Sequence, residues 1–255
     1  MKLEAGKLCL AGKSSIVIEH YTGPKKMTPP ALKEVPRTGA IQDAIKQSVS
    51  RAQKKDAAWL CQLHSSPLAL DWSAYNVGQD SAPKLKTISV FGPLLDSPPA
   101  HPDTVLSTIA YLDTLLRQLG MSHSHITFDM QLYMIACLIQ WSDAQRWSSV
   151  VLRPGMMHTH VIHRLNRRTD EFNRCGGAKK EGDWLLQQHC LEEMLRYFFA
   201  AGHHHYSRWI TWHLRDMQHL PATAKDDLLA GSHVCRHSDG AAAVSGDMFG
   251  EQTCI

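Results

Sequence analysis

Asp129 is the carboxylate in this sequence best placed for chemistry. It closes the short apolar run His125-Ile126-Thr127-Phe128, which reads as a buried strand. An acidic residue at the end of such a strand is a common ligand for magnesium in nucleases and phosphoryl-transfer enzymes. Sites of that kind gather two or three carboxylates from distant parts of a chain. Asp247 and Glu251 supply two more, and their i, i+4 spacing puts them on one face if the segment is helical. His158 follows the next expected strand and adds a polar group. The candidate catalytic set is therefore Asp129, Asp247 and Glu251, with Asp129, Asp247 and His158 as metal ligands and magnesium or manganese as the ion. No small-molecule cofactor is expected. The competing role for Asp129 is structural: as the N-cap of the next helix its carboxylate would accept orphan amide protons. Spacing alone favours the cap.

Other constellations carry less. His158, His160 and His163 lie close together, but no Cys or His pair sits at a standard zinc spacing beside them. They read as surface or packing histidines, and His203-His204-His205 reads as a polar turn. Gly12-Lys13-Ser14 resembles the end of a phosphate-binding loop, yet position 7, where that motif needs glycine, is lysine. Glu181 and Asp183 precede Trp184 and suit a helix start, where acidic groups complement the helix dipole. Arg51, Lys54 and Lys55 read as a solvated helix face.

The elements that must position these groups are legible from pattern. A helix is expected over 38–63, with Ile41, Ile45, Val49 and Ala52 on one side. A short strand is expected over 14–18 and another over 87–91. A stronger helix spans 102–119, striped by Val105, Ile109, Leu112, Leu116 and Leu119 and stopped at Gly120. A β-α-β passage follows: strand 125–128, a helix marked by Leu132, Ile135, Ala136 and Ile139, and strand 149–152 closed by Pro154-Gly155. Such a unit gives parallel strands whose ends face a common crevice, so Asp129 should lie near the chain after Leu152. A basic, glycine-containing loop is expected over 164–182. Helices then run over 183–200 and 206–220, and a short one starts at Pro221 and ends at Gly231.

The fold class is therefore α/β and helix-rich, with a small mixed or parallel sheet around residues 87–152 and a helical C-terminal half. Residues 1–85 read as a poorly organised N-terminal segment and 86–255 as an α/β core passing into a helical region.

Composition sets outer limits. The 255 residues are 44% hydrophobic and 20% charged, within the ordinary globular range. The net charge of +3 is too weak to argue for nucleic-acid binding by itself. Sixteen histidines would make the surface more basic on mild acidification. Seven cysteines, odd in number and without a CxxC pair, fit reduced thiols better than a disulfide framework. With no secretory pattern and no run of about 20 apolar residues, the expectation is an intracellular protein of nucleus or cytoplasm that does not enter a membrane.

Several segments, in order, resemble a dispersed family of mobile-element-associated, transposase-like proteins of animal genomes. They are Asp71-Trp72-Ser73-Ala74-Tyr75-Asn76, Phe128-Asp129-Met130-Gln131-Leu132-Tyr133 and Val151-Leu152-Arg153-Pro154-Gly155-Met156-Met157-His158. Further blocks are Glu181-Gly182-Asp183-Trp184, Tyr197-Phe198-Phe199-Ala200, His205-Tyr206-Ser207-Arg208, Gly231-Ser232-His233-Val234-Cys235-Arg236-His237 and Asp247-Met248-Phe249-Gly250-Glu251-Gln252-Thr253. The resemblance covers about residues 70–255. It implies a ribonuclease-H-like, metal-dependent nuclease core acting on DNA. Departures from the family pattern at positions 130, 131, 154, 157 and 241–246, together with the stop at Ile255, imply a truncated or degenerate and inactive copy. The alternative expectation is a non-catalytic nucleic-acid-binding or protein-interaction module.

Overall fold

A computed structural model describes residues 16–65, 92–93, 95, 97–155, 178, 182–231, 234–236 and 242–245. The expected strand at 87–91 and most of the basic loop at 164–182 lie outside these residues. Residues 16–18 carry no strand, and Val17 is 82% exposed. Three β-branched residues in a row favour a strand by composition, but composition alone does not make one.

The centre is the β-α-β unit. Strand β1 (Ser124–Phe128) pairs in parallel with β2 (Val150–Pro154), with Ser124 opposite Val150 and Phe128 opposite Pro154. Helix α2 (Pro102–Gln118) precedes the pair, and α3 (Met130–Ser142) makes the crossover. The parallel pairing agrees with the α/β expectation, but β2 runs two residues beyond Leu152. Proline can end this strand because it sits at the terminus, where its missing amide breaks no ladder.

Helix α2 begins with Pro102 at its first turn and ends where Gly120 adopts φ 80°, a left-handed conformation that glycine takes at no steric cost. Val105 and Ile109 are buried as the stripe predicts, but Leu119 is 69% exposed because the helix closes at Gln118. On α3 the deeply buried side chains are Met130, Tyr133, Ala136, Cys137 and Ile139, while Leu132 and Ile135 are only partly buried. This helix is apolar nearly all round, so periodicity does not single out its inner face.

Helix α4 (Trp184–Ala200) and helix α5 (His204–Gln218) pack against each other, and α5 also meets β2. The short α6 (Ala222–Leu229) packs on α4, and Gly231 follows it at φ 82°. A two-stranded antiparallel pair, β3 (Val234–Arg236) and β4 (Ala242–Ser245), lies in the half expected to be helical.

Alternation along β2 divides the interior. Val150 and Leu152 face the main core with α2, α3, α4 and α5, whereas Val151 faces a smaller cluster with Trp184, Met217, Ala224 and Leu228. Side chains on successive strand residues point to opposite faces, so one five-residue strand serves both cores. A polar knot secures the opening of the sheet: the buried Asp113 carboxylate accepts Ser124 Oγ at 2.7 Å, Arg117 Nε at 2.8 Å and Ser149 Oγ at 3.2 Å.

The N-terminal region is docked through specific bonds. The Tyr21 amide donates to Asp103 Oδ1 at 2.8 Å, and the Glu19 amide donates to Ser107 Oγ at 2.8 Å. Helix α1 (Gly39–Ser65) lies on α4 with Ile45 and Ser48 buried, and Arg37 pairs with Glu192 at 2.8 Å. Ile41, expected on the inner stripe, is 39% exposed, whereas Ile45 and Ser48 further along the helix are buried.

Candidate functional site

Two regions carry chemistry that can be built from the described residues. The first is the crevice at the C-terminal ends of the parallel strands. The Gly155 amide donates to Phe128 O at 2.5 Å, so the chain after β2 meets the end of β1 as the β-α-β reading requires. A Cβ placed on Gly155 would approach Phe128 O to 3.0 Å and Asp129 Cα to 3.7 Å, which explains glycine at this close approach. Asp129 sits exposed at this junction as the N-cap of α3, its Oδ1 accepting the Leu132 amide at 2.8 Å. The cap engages one carboxylate oxygen. Tyr206, at the start of α5, has its phenol pKa raised by burial and then by the Asp129 charge.

Asp247, Glu251 and His158 lie outside the described residues, as do His160, His163 and Gly12-Lys13-Ser14. Of the expected metal-binding set the structure therefore describes Asp129 alone. Among the described residues no three His, Cys, Asp or Glu side chains stand close enough, as placed, to hold an ion. His203, His204 and His205 open α5, and among the described residues no side chain caps that helix.

The second region is a groove of about 630 Å³ between the chain at Pro29–Leu32 and the outer face of α5. Trp212 forms part of its floor, its Nε1 donating to Pro30 O at 3.3 Å, which fastens one wall to the other. Arg208 and Arg215 both line the groove from exposed positions, with Phe199 at 56% exposure beside them. Seven residues on a helix return to the same face about 10.5 Å further along the axis. Neither guanidinium forms an ion pair with a described residue. The amphipathic reading of α5 is accurate on its inner side, where Trp209, Ile210, His213, Leu214 and Met217 are all buried. The arginines occupy the opposite face, and their spacing is a sequence signal that the inner stripe obscures.

Behind the groove α5 presents titratable groups to the core. His213 is buried against Tyr133, with ring centroids 6.0 Å apart and edge-to-face. Burial, and then the nearby Arg153 charge, lower its pKa to about 3. Asp216 is raised to about 6 by burial, with His219 acting in the opposite sense. The Tyr133 phenol and Cys137 thiol are held well above their ordinary values, chiefly by burial. These groups are neutral core polar groups at pH 7 except for Asp216, and a raised buried thiol is unreactive.

A family profile described as a domain of unknown function, DUF8702, matches residues 71–162 and 173–255, well over half of the chain. The chain belongs to the DUF8702 family. The DUF8702 match takes in Asp129, Arg208 and Arg215 together with Asp247, Glu251 and His158, whereas the Pro29–Leu32 wall of the groove precedes it. No curated protein and no solved structure matches the chain. No helix among the described residues is long and apolar enough to cross a membrane.

Proposed function

We propose that this DUF8702 chain is a nucleic-acid-binding module whose contact surface is the groove on α5. The observation that carries the reading is the placement of Arg208 and Arg215 two turns apart on one face, both lining the groove with an exposed Phe199 ring. Guanidinium groups take phosphate oxygens through paired N–H donors. An exposed aromatic ring offers a face on which an unpaired base stacks. The combination suits single-stranded DNA or RNA better than an intact duplex, whose bases are not free to stack. The test is fluorescence anisotropy of labelled single-stranded and duplex oligonucleotides across a salt series. Single strands should bind more tightly, and affinity should fall linearly in log–log form with salt. Losing both arginines should reduce that slope by about 1.4, at about 0.7 per phosphate. Salt-independent binding, or equal binding by Arg208→Ala/Arg215→Ala, would sink the proposal.

A second reading has its own observation. Asp129 stands at the carboxyl end of β1, in contact with the chain leaving β2, where open parallel sheets commonly place ligand-binding groups. In the metal-dependent nuclease reading Asp129 would share a magnesium or manganese ion with Asp247 and His158, and Glu251 would act beside them on a phosphodiester. The mobile-element origin implied by the resemblance belongs with this reading. Its check is cleavage of labelled DNA with either ion, wild type against Asp129→Asn. Absence of cleavage, or equal cleavage by both, removes it.

A further inference from the structure

Two imidazoles and a carboxylate meet on the far side of the sheet from the main core. His123 immediately precedes β1 and His125 lies within it, so the i, i+2 spacing directs both toward one face. That face is covered by α6, and both rings approach the same oxygen of its Asp227. His123 Nδ1 is 3.9 Å and His125 Nε2 is 3.7 Å from Asp227 Oδ2. The His125 side chain is 7% exposed, and neither of its ring nitrogens has a hydrogen-bond partner among the described residues. A buried imidazole always has one nitrogen able to donate and one able to accept, and leaving both unpaired is costly. A buried orphan of this kind calls for a bound ion or water.

We propose that His123, His125 and Asp227 form a binding site for a divalent transition-metal ion of the zinc type, independent of the α5 groove. Two imidazole nitrogens and one carboxylate oxygen are a borderline donor set that prefers zinc, cobalt, nickel or copper to magnesium. Three protein ligands leave a fourth position for solvent. Tetrahedral bonds of about 2.0–2.1 Å set neighbouring donors roughly 3.3–3.5 Å apart. The two separations from Asp227 Oδ2 are a few tenths of an ångström wider, so the carboxylate must move inward to close the site. The Asp227 side chain is 40% exposed on the eight-residue α6, so a small torsional change brings its carboxylate inward.

Among the described residues few charges surround the pair. Asp227 is the carboxylate facing the pair, and Arg153 of β2 is the neighbouring cation, its guanidinium 5.5 Å over the Trp184 ring. Burial, then Arg153, make protonation of His125 less favourable, and Asp227 acts in the opposite sense. The same guanidinium opposes an added cation and weakens the site relative to one without it.

The experiment uses tag-free, full-length protein stripped by chelator, titrated with zinc by calorimetry and with cobalt by visible absorption. The expected result is one equivalent of zinc and the strong visible bands of four-coordinate cobalt. His123→Ala and Asp227→Asn should each weaken binding at least tenfold. His203→Ala/His204→Ala/His205→Ala should bind as wild type does, which separates this site from adventitious capture by the histidines that open α5. No stoichiometric binding, undiminished binding by the first two variants, or loss in the triple variant overturns the proposal. If a variant fails to fold, long-range histidine NMR of the wild type decides the matter. The His123 and His125 ring resonances must shift with the first equivalent of zinc, and unmoved resonances overturn the site.

Discussion

The Asp183 carboxylate serves two partners at once: its Oδ1 accepts the Leu186 amide at 3.0 Å as the N-cap of α4, and its Oδ2 takes the Arg51 guanidinium from α1. One side chain thereby starts a core helix and ties a surface helix to it. Asp183→Ala should cost about 1 kcal/mol from the lost cap, within a usual range of about 0.5–2. Arg51 is 56% exposed, so Arg51→Ala should cost less, below about 1 kcal/mol. Urea unfolding of both variants checks the order, and a larger loss for Arg51→Ala would contradict it.

Asp129 allows its structural role to be separated from any chemical one. Asparagine is as good an N-cap as aspartate, whereas alanine is not. Asp129→Asn should therefore keep wild-type stability, and Asp129→Ala should lose about 1 kcal/mol. A large loss in Asp129→Asn would show that the negative charge matters to the fold.

His213 and Asp216 give opposed pH dependence. His213 has a folded pKa depressed to about 3, so the unfolded chain binds the extra proton below about 6.5 and stability falls with pH in that window. Asp216 has a folded pKa raised to about 6, so the folded chain binds the extra proton above the carboxylate's ordinary 3.8 and stability rises as pH falls through 6. Each contributes a slope of up to about 1.4 kcal/mol per pH unit, and the two nearly cancel between pH 6 and 4. Asp216→Asn should expose the acid sensitivity of His213, and His213→Gln should reverse its sign. Urea midpoints at pH 7, 6 and 5 read both effects, and parallel profiles for the two variants would refute the assignment.

Gly155 offers a test of the crevice. An alanine there meets Phe128 O at 3.0 Å, a backbone atom that cannot swing away. Gly155→Ala should cost about 1–3 kcal/mol as an overpacked contact. A neutral or stabilising effect would show that the strand ends are looser than the geometry describes.

Much of the frame is legible in the sequence, for identifiable reasons. Helices α2, α4 and α5 are long and amphipathic, and Gly120 and Gly231 mark stops that local backbone geometry demands. The parallel pair follows from two short β-branched runs separated by one helix. Residues 16–18 have the right composition for a strand but form none. Strands β3 and β4 are only three and four residues long, below the length at which alternation is visible. The site was less legible than the fold. Arg208 and Arg215 look like routine outer-face charges until Pro29–Leu32 is seen to close a groove over them. His125 looks like a strand residue until Asp227, about a hundred positions later, is found opposite it.

The docking of the N-terminal chain has a consequence for choosing a minimal expression unit. The family match begins at residue 71, but Pro30 covers Trp212, the Val35 amide binds Gln218 Oε1 at 3.0 Å, and Glu19 pairs with Arg146 at 2.8 Å. A clone trimmed to the matched boundaries would uncover the indole, leave Asp103 without the Tyr21 amide and open one side of the groove. Newly bared apolar surface of this kind promotes self-association. A recombinant product cut at the family boundary would therefore misreport both solubility and ligand affinity, and the cut belongs upstream of Ile16.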